Sequence, residues 1–331
     1  MSAMRQAVIT GTGSYVPGKV LTNADLETML GTSIEPFVSE TLGIHERHVT
    51  GPDESTADLA VAAGKRALAS AGLEAKDIDL LIVATDTPEF ISPATSSVVH
   101  GRLGTRNAGS FDVNCGCAGY VTALDVAWKY IRADERYRRV LVIGAYAMSK
   151  YLDYTDKKTA TIFADGAGAT VVELAKAPGV LASELAADGR LCMGMGVFAG
   201  GTAEPVTEEM LRTPGRNKLR FVEKYPKAVN EEGWPRIARS VLARAGKRVE
   251  DVDLWLWTQV NLSTIRLVMD SIGVSMDKAH TIMGKWGYTG AACLPMALDD
   301  AVHAGRLHEG DLVMLTGSGA GLAMGTAAME W

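Results

Sequence analysis

Four cysteines, Cys115, Cys117, Cys192 and Cys293, are the residues with the plainest chemical potential. They form no Cys-x-x-Cys pair and have no histidine at zinc-ligand spacing, so a metal site is not expected. Cys115 and Cys117 flank a single glycine, a poor spacing for a structural disulfide. Cys117 stands out by position. The strand-like Phe111-Asp112-Val113 ends in the turn Asn114-Cys115-Gly116, and Cys117 opens the alanine-rich stretch that follows. A thiol there faces unpaired backbone N–H groups and the positive end of a helix dipole, which favours thiolate. The same N–H groups can hold an oxyanion on a carbonyl bonded to the sulfur. The alternative is a small packed apolar residue, the commoner fate of a lone cysteine. Cys115 competes for the role of nucleophile.

Short β-branched runs (78–85, 111–113, 140–143, 252–256, 312–315) alternate with helical stretches near 57–71, 118–133, 234–245, 262–272 and 290–304. Alternation of this kind predicts βαβ units and mainly parallel sheets. The chain also repeats itself. Leu68-Ala-Ser-Ala-Gly72 leads to Asp77-Ile-Asp-Leu80, and Leu242-Ala-Arg-Ala-Gly246 leads to Asp251-Val-Asp-Leu254, an offset of 174 (242 − 68). The same offset relates Ala123-Leu-Asp125 to Ala297-Leu-Asp299. Two like halves, 1–175 and 176–331, are therefore expected, packed tightly because no linker composition separates them. Under this offset the Cys117 turn matches Tyr288-Thr-Gly-Ala291, and the two helix starts are expected to face one another. Thr258 matches Ala84 at the carboxyl end of a strand, where α/β sheets place ligands.

The 331 residues are 47% apolar and 22% charged with net charge −6. That is globular composition, large enough to bury a core without disulfides or metals. No basic field points to nucleic acid or to an anionic membrane. Apolar runs such as Leu80–Ala84 are strand length, and the N-terminal Met-Ser-Ala-Met-Arg-Gln leads straight into a strand-like stretch, so neither a span nor a signal peptide is expected. Free thiols agree with a cytoplasmic protein.

Several collinear motifs carry a resemblance. Asp112-Val-Asn-Cys-Gly-Cys117-Ala-Gly-Tyr120, Thr161-Ile-Phe-Ala-Asp165-Gly-Ala-Gly-Ala169, Ile9-Thr-Gly-Thr-Gly-Ser-Tyr-Val-Pro17, Gly43-Ile-His-Glu-Arg47-His48 and Gly317-Ser-Gly-Ala-Gly321 together resemble the ketoacyl-ACP synthase III branch of the thiolase superfamily. The likeness implies a five-layered αβαβα fold, a homodimer, and acyl transfer from a CoA or acyl-carrier-protein thioester onto Cys117. No cofactor is implied beyond that phosphopantetheine thioester. The oxyanion hole would be formed by the Cys117 and Ala320 amides. The family completes its site with a histidine in a His-Gln-Ala-Asn segment and an asparagine in a Gly-Asn-Thr turn. Here these read Thr258-Gln-Val-Asn261 and Gly287-Tyr288-Thr289, and none of the six histidines stands at a matching position.

Because those two family side chains stabilise the enolate formed on malonyl decarboxylation, three readings follow. The first is an acyltransferase that passes its acyl group to an acceptor without efficient decarboxylation. The second is a condensing β-ketoacyl-ACP synthase with Thr258 and Tyr288 as substitutes. The third is a non-catalytic partner subunit. The family's pocket-limiting phenylalanine, which reaches across the dimer, is matched by Ser92, with Phe90 nearby. Met193 and Met195 are candidates for the acyl pocket, Pro36-Phe37 for the carrier. The basic segment 212–227 is a solvated surface or a dock for an acidic carrier protein.

Overall fold

A computed structural model describes residues 5–331; the reading of the first four residues lies outside the described residues. Two sheets carry the chain. The first contains β1 (Gln6–Tyr15), β2 (Leu80–Ala84), β3 (Gly109–Val113), β4 (Arg139–Ala147) and β5 (Asp165–Ala175), in the spatial order β1-β5-β4-β2-β3. β2 pairs in parallel with both β3 and β4, and β5 runs antiparallel to β4 and β1. The second contains β6 (Val180–Ala187), β7 (Leu254–Trp257), β8 (Leu312–Gly319) and β9 (Ala323–Glu330), ordered β6-β9-β8-β7. Both orders follow the same path, with β1, β5, β4 and β2 matched by β6, β9, β8 and β7. β3 has no full counterpart. In its place stands a single parallel bridge between Trp255 and Ala279, beside which the His280 N–H donates to the Trp255 carbonyl at 3.1 Å.

Six helices complete the layers: α1 (Thr56–Ser70), α2 (Thr95–Leu103), α3 (Gly119–Ala133), α4 (Gly233–Arg244), α5 (Leu262–Ser271) and α6 (Cys293–His303). α3 and α6 lie between the two sheets, with α1 and α2 outside the first and α4 and α5 outside the second, giving the expected five-layered αβαβα arrangement. A helix between two sheets must be apolar on all sides. α3 accordingly buries Tyr120, Val121, Leu124, Trp128 and Ile131, and α6 buries nearly its whole length. The charged exceptions are Asp125, held by Ser183 and by Lys129 at 2.7 Å, and Asp299, held by Thr12 at 2.7 Å. Behind the second sheet, Trp234, Trp257 and Trp255 stack with ring centroids 5.5 and 5.2 Å apart.

The start of α3 (Gly119) and of α6 (Cys293) again differ by 174 (293 − 119). The turns before them share a backbone shape, since Gly116 has φ 51° and Gly290 φ 48°, a region that strains any other residue. The two helix starts do meet: a Cβ placed on Gly119 would touch Ala291 Cβ at 3.7 Å. Among the described residues no helix is long and apolar enough to cross a membrane.

Candidate active site

Cys117 sits between the end of β3 and the start of α3. The Asn114 Oδ1 accepts from the Gly116 N–H at 3.3 Å, and Ala118 and Gly119 donate back to the Cys115 and Gly116 carbonyls. The first helical residue is Gly119, so Cys117 stands just ahead of the helix rather than opening it. The Gly317–Gly321 loop presses against this turn. A Cβ on Gly319 would lie 2.2 Å from the Cys117 amide nitrogen, and one on Gly116 2.9 Å from that of Ala320. Both glycines are needed for this approach, which brings the Cys117 and Ala320 backbones together.

Cys117 is buried and forms part of the floor of a cleft of about 500 Å³. The expectation of a thiolate is corrected here. Burial pushes the Cys117 thiol well above its ordinary range, and the nearby Asp86 carboxyl pushes it the same way. A hydrogen bond with the Tyr288 phenol opposes both without overcoming them. The neutral thiol is the resting form because desolvation outweighs the dipole of a helix that starts two residues later.

Tyr288 lines the cleft beside Cys117. Its backbone is stitched to the 161–169 motif, with Ala164 N–H donating to its carbonyl at 2.8 Å and its own N–H donating to Ile162 O at 3.1 Å. Its ring packs on Phe163 at 5.6 Å. Buried Arg47 supports the same motif by donating Nε–H to the Thr161 carbonyl at 3.0 Å. Asp165 holds it from the other end by accepting from Thr50 and Ser149 N–H at 2.7 and 2.9 Å.

Thr258 is placed differently. It is buried at the end of β7, its hydroxyl accepts from the Ser318 N–H at 2.9 Å, and it is not among the residues that line the cleft. Asn261 and Val260 from the same segment do line it. Gln259 turns inward to the backbone at Trp257, His280 and Ile282. No histidine lines the cleft; His280 pairs with Asp300 at 2.7 Å.

Ser92 and Phe90 lie on an exposed loop and line no described cavity of their own chain. Met195 lines the cleft, whereas Met193 is exposed. Phe37 forms part of the mouth, as do Lys224 and Lys227. Elsewhere in the basic segment, Arg212 and Arg216 are paired with Glu208 and Glu204. Cys115 lines a second cavity behind the turn, and burial pushes the Cys293 thiol up to about 12. Among the described residues no cluster of histidine, cysteine and carboxylate side chains is placed to hold a metal.

Sequence reasoning missed Phe163 and Phe221, which wall the cleft, and Ser318, whose hydroxyl joins Trp234 to Asn230. It also missed Asp86. The available signal was its place two residues beyond β2, which the 174 offset matches to Val260 (260 − 86) in the cleft.

Comparison with known proteins places the whole chain beside one family. Residues 111–189 match the model of the 3-oxoacyl-[acyl-carrier-protein] synthase III family, and residues 242–331 match that of its C-terminal portion. A beta-ketoacyl-[acyl-carrier-protein] synthase III of Syntrophomonas wolfei is 39% identical over 98% of this chain and 97% of its own. The crystal structure of 3-oxoacyl-[acyl-carrier-protein] synthase III from Aquifex aeolicus superposes with TM-score 0.89 at 32% identity, covering 98% of this chain and all of that one. The priming β-ketosynthase of the R1128 polyketide pathway superposes with TM-score 0.90 at 30% identity, covering 100% and 97%.

Proposed function

The chain belongs to the 3-oxoacyl-[acyl-carrier-protein] synthase III family of acyltransferases, and from that premise we propose that it takes an acyl group from a CoA or carrier-protein thioester onto Cys117 and passes it to an acceptor without efficient malonyl decarboxylation. The observation that carries the reading is a buried Cys117 in an apolar cleft with no histidine among its lining residues. Cys117 attacks the thioester carbonyl, the oxyanion is held by the Cys117 and Ala320 amides, and the carrier thiol leaves with the proton. Tyr288 donates to the sulfur and lowers the cost of that step. No cofactor takes part beyond the thioester itself. Lys224 and Lys227 at the mouth suit the phosphate or the acidic surface of a carrier.

Enolate formation needs donors to a second carbonyl. Thr258 is not such a donor, since it lies outside the cleft with its hydroxyl oxygen accepting from the Ser318 N–H. Losing one such donor typically slows a reaction by ~10²–10³. The Tyr288 phenol keeps a second reading alive, in which it serves a condensing enzyme in place of the missing asparagine. The same proposal takes the chain as two like halves meeting near residue 175, supported by β5 ending at Ala175 and β6 starting at Val180, and as a homodimer.

Intact-protein mass spectrometry against acyl-CoA and acyl-carrier thioesters tests the nucleophile. Acyl mass is expected on the native protein and on Cys115→Ala, and not on Cys117→Ala. Labelling that survives Cys117→Ala would place the nucleophile elsewhere. Release of labelled carbon dioxide from malonyl-carrier protein separates the two chemistries. Several turnovers per second by the native enzyme, an ordinary enzymatic rate, would establish the condensing reading instead.

A further inference from the structure

A second cavity of about 460 Å³ lies behind the Cys117 turn, lined by Asn114, Cys115, Cys192, Met195 and Val197 among others. It shares Met195, Ala320 and Leu322 with the cleft, so the two meet beside the Cys117 turn. Its one charged lining residue among those described is Asp86. This side chain extends past the carboxyl end of β2, as Val260 does past the end of β7, and each looks into one cavity. Asp86 Oδ1 is buried and has no hydrogen-bond partner. A buried carboxylate oxygen without a partner is costly in general, and natural proteins keep such groups where a ligand completes them.

We propose that Asp86 selects an acyl group bearing an ammonium, which is seated in this second cavity while its carbonyl carbon is bonded to Cys117 Sγ. The proposal rests on the acyl-transfer reading above. Asp86 is pushed up to about 6 by burial, so it is largely ionised at neutral pH and presents a full negative charge with no cation near it in the cavity. A hydroxyl would satisfy one lone pair and leave the charge; an ammonium answers both. An anionic acyl group, such as a dicarboxylic half-thioester, would be repelled. The ammonium also acts on the chemistry. Asp86 is one of the groups holding the Cys117 thiol up, and a cation beside it cancels that field, so the matching acyl group eases its own capture. The step is thioester exchange: the Sγ–acyl bond forms, the carrier C–S bond breaks, and the thiol proton ends on the departing sulfur with no redox change.

The test uses the full chain and CoA thioesters in isosteric pairs, with ammonium replacing methyl: 3-aminobutanoyl against 3-methylbutanoyl, and 6-aminohexanoyl against heptanoyl. 3-Hydroxybutanoyl and succinyl thioesters are added. Acylation of Cys117 is followed by time-resolved intact mass. The ammonium member of at least one pair should react about ten-fold faster or more, with succinyl slowest. Asp86→Asn and Asp86→Thr, each checked for folding by circular dichroism, should reverse the order. Methyl members faster in both pairs, or a hydroxyl member faster than its ammonium counterpart, in the native protein overturn the proposal, as does an ammonium preference that survives in both variants, while the acyl-transfer reading stands. If no thioester acylates the native protein, the acyl-transfer reading itself falls.

Discussion

At the scale of single residues, the site is governed by how burial and neighbouring groups set the protonation of Cys117, Tyr288 and Asp86. Cys117, Tyr288 and Asp86 are all desolvated, which disfavours the charged form of each. Tyr288 is held well above its ordinary range by burial and then by Cys117, so its phenol stays protonated and remains a donor to the sulfur. Removing it in Tyr288→Phe should raise the Cys117 pKa further and slow acylation at neutral pH. Alkylation by iodoacetamide across pH would show the profile displaced upward. Asp86→Asn should move the same profile downward, because it removes a charge that opposes the thiolate. Identical profiles for all three proteins would mean that neither group acts on the sulfur.

Asp86 also makes a stability prediction. Its folded pKa of about 6 lies above the ordinary 3.8 of an unfolded aspartate, so the folded protein holds this proton longer. The carboxyl therefore leaves stability intact at low pH and removes it as pH rises from about 4 to about 6. The full shift corresponds to roughly 3 kcal/mol. Denaturant titration should find Asp86→Asn more stable than the native protein at pH 7, with the gap closing by pH 4.

At the scale of elements, the matching turns before α3 and α6 decide where the active side chains point. A Cβ on Gly290 would fall 2.3 Å from the Tyr146 ring, in a backbone region that is already left-handed. Gly290→Ala should destabilise the fold by about 1–3 kcal/mol and displace Tyr288, two residues away, so chemical denaturation and acylation should both register it. Unchanged stability would show that the turn is not over-determined. This turn was legible in the sequence because a repeated offset carries over glycines and strand ends alike. The helices and strands were legible for the same reason, with α1, α3 and α6 close to the spans that periodicity predicts. The burial of Thr258 was not legible, because strand register fixes where a residue lies and not whether its hydroxyl is taken by a neighbouring amide. The neutral Cys117 thiol escaped for a related reason. Dipole and amide arguments are local, whereas burial of the sulfur and the charges of Asp86 and Cys293 come from segments distant in sequence.

At the scale of the whole molecule, the first sheet ends in β3, which pairs only with β2 and leaves its outer edge open. Open edges invite a further strand. Beside it, the loop after β2 is fixed at its base, where the Ala57 N–H donates to Glu89 at 2.9 Å and Asp112 of β3 caps α2 through the Thr95 and Ser96 N–H groups at 2.7 Å. Beyond this anchored base the tip is bare, with Phe90 54% and Ile91 83% exposed next to Ser92. Two adjacent apolar side chains held outward on a fixed base suit a partner surface rather than water. A second copy meeting β3 edge to edge would cover this tip, and the protein should sediment near twice 35.1 kDa. By the family resemblance Ser92 stands where a pocket-limiting phenylalanine reaches across the dimer, and we propose that it borders the partner's acyl pocket. Ser92→Phe should narrow it and move the preference toward short acyl donors. Each excluded methylene forfeits about 0.8 kcal/mol of burial, close to a four-fold loss of preference per carbon. Competition between acyl-CoA chain lengths, read by mass on Cys117, measures that slope directly. A dimer with an unchanged chain-length profile would separate the interface from the pocket, whereas a monomer at micromolar concentration would leave the exposed tip without the partner argued for it.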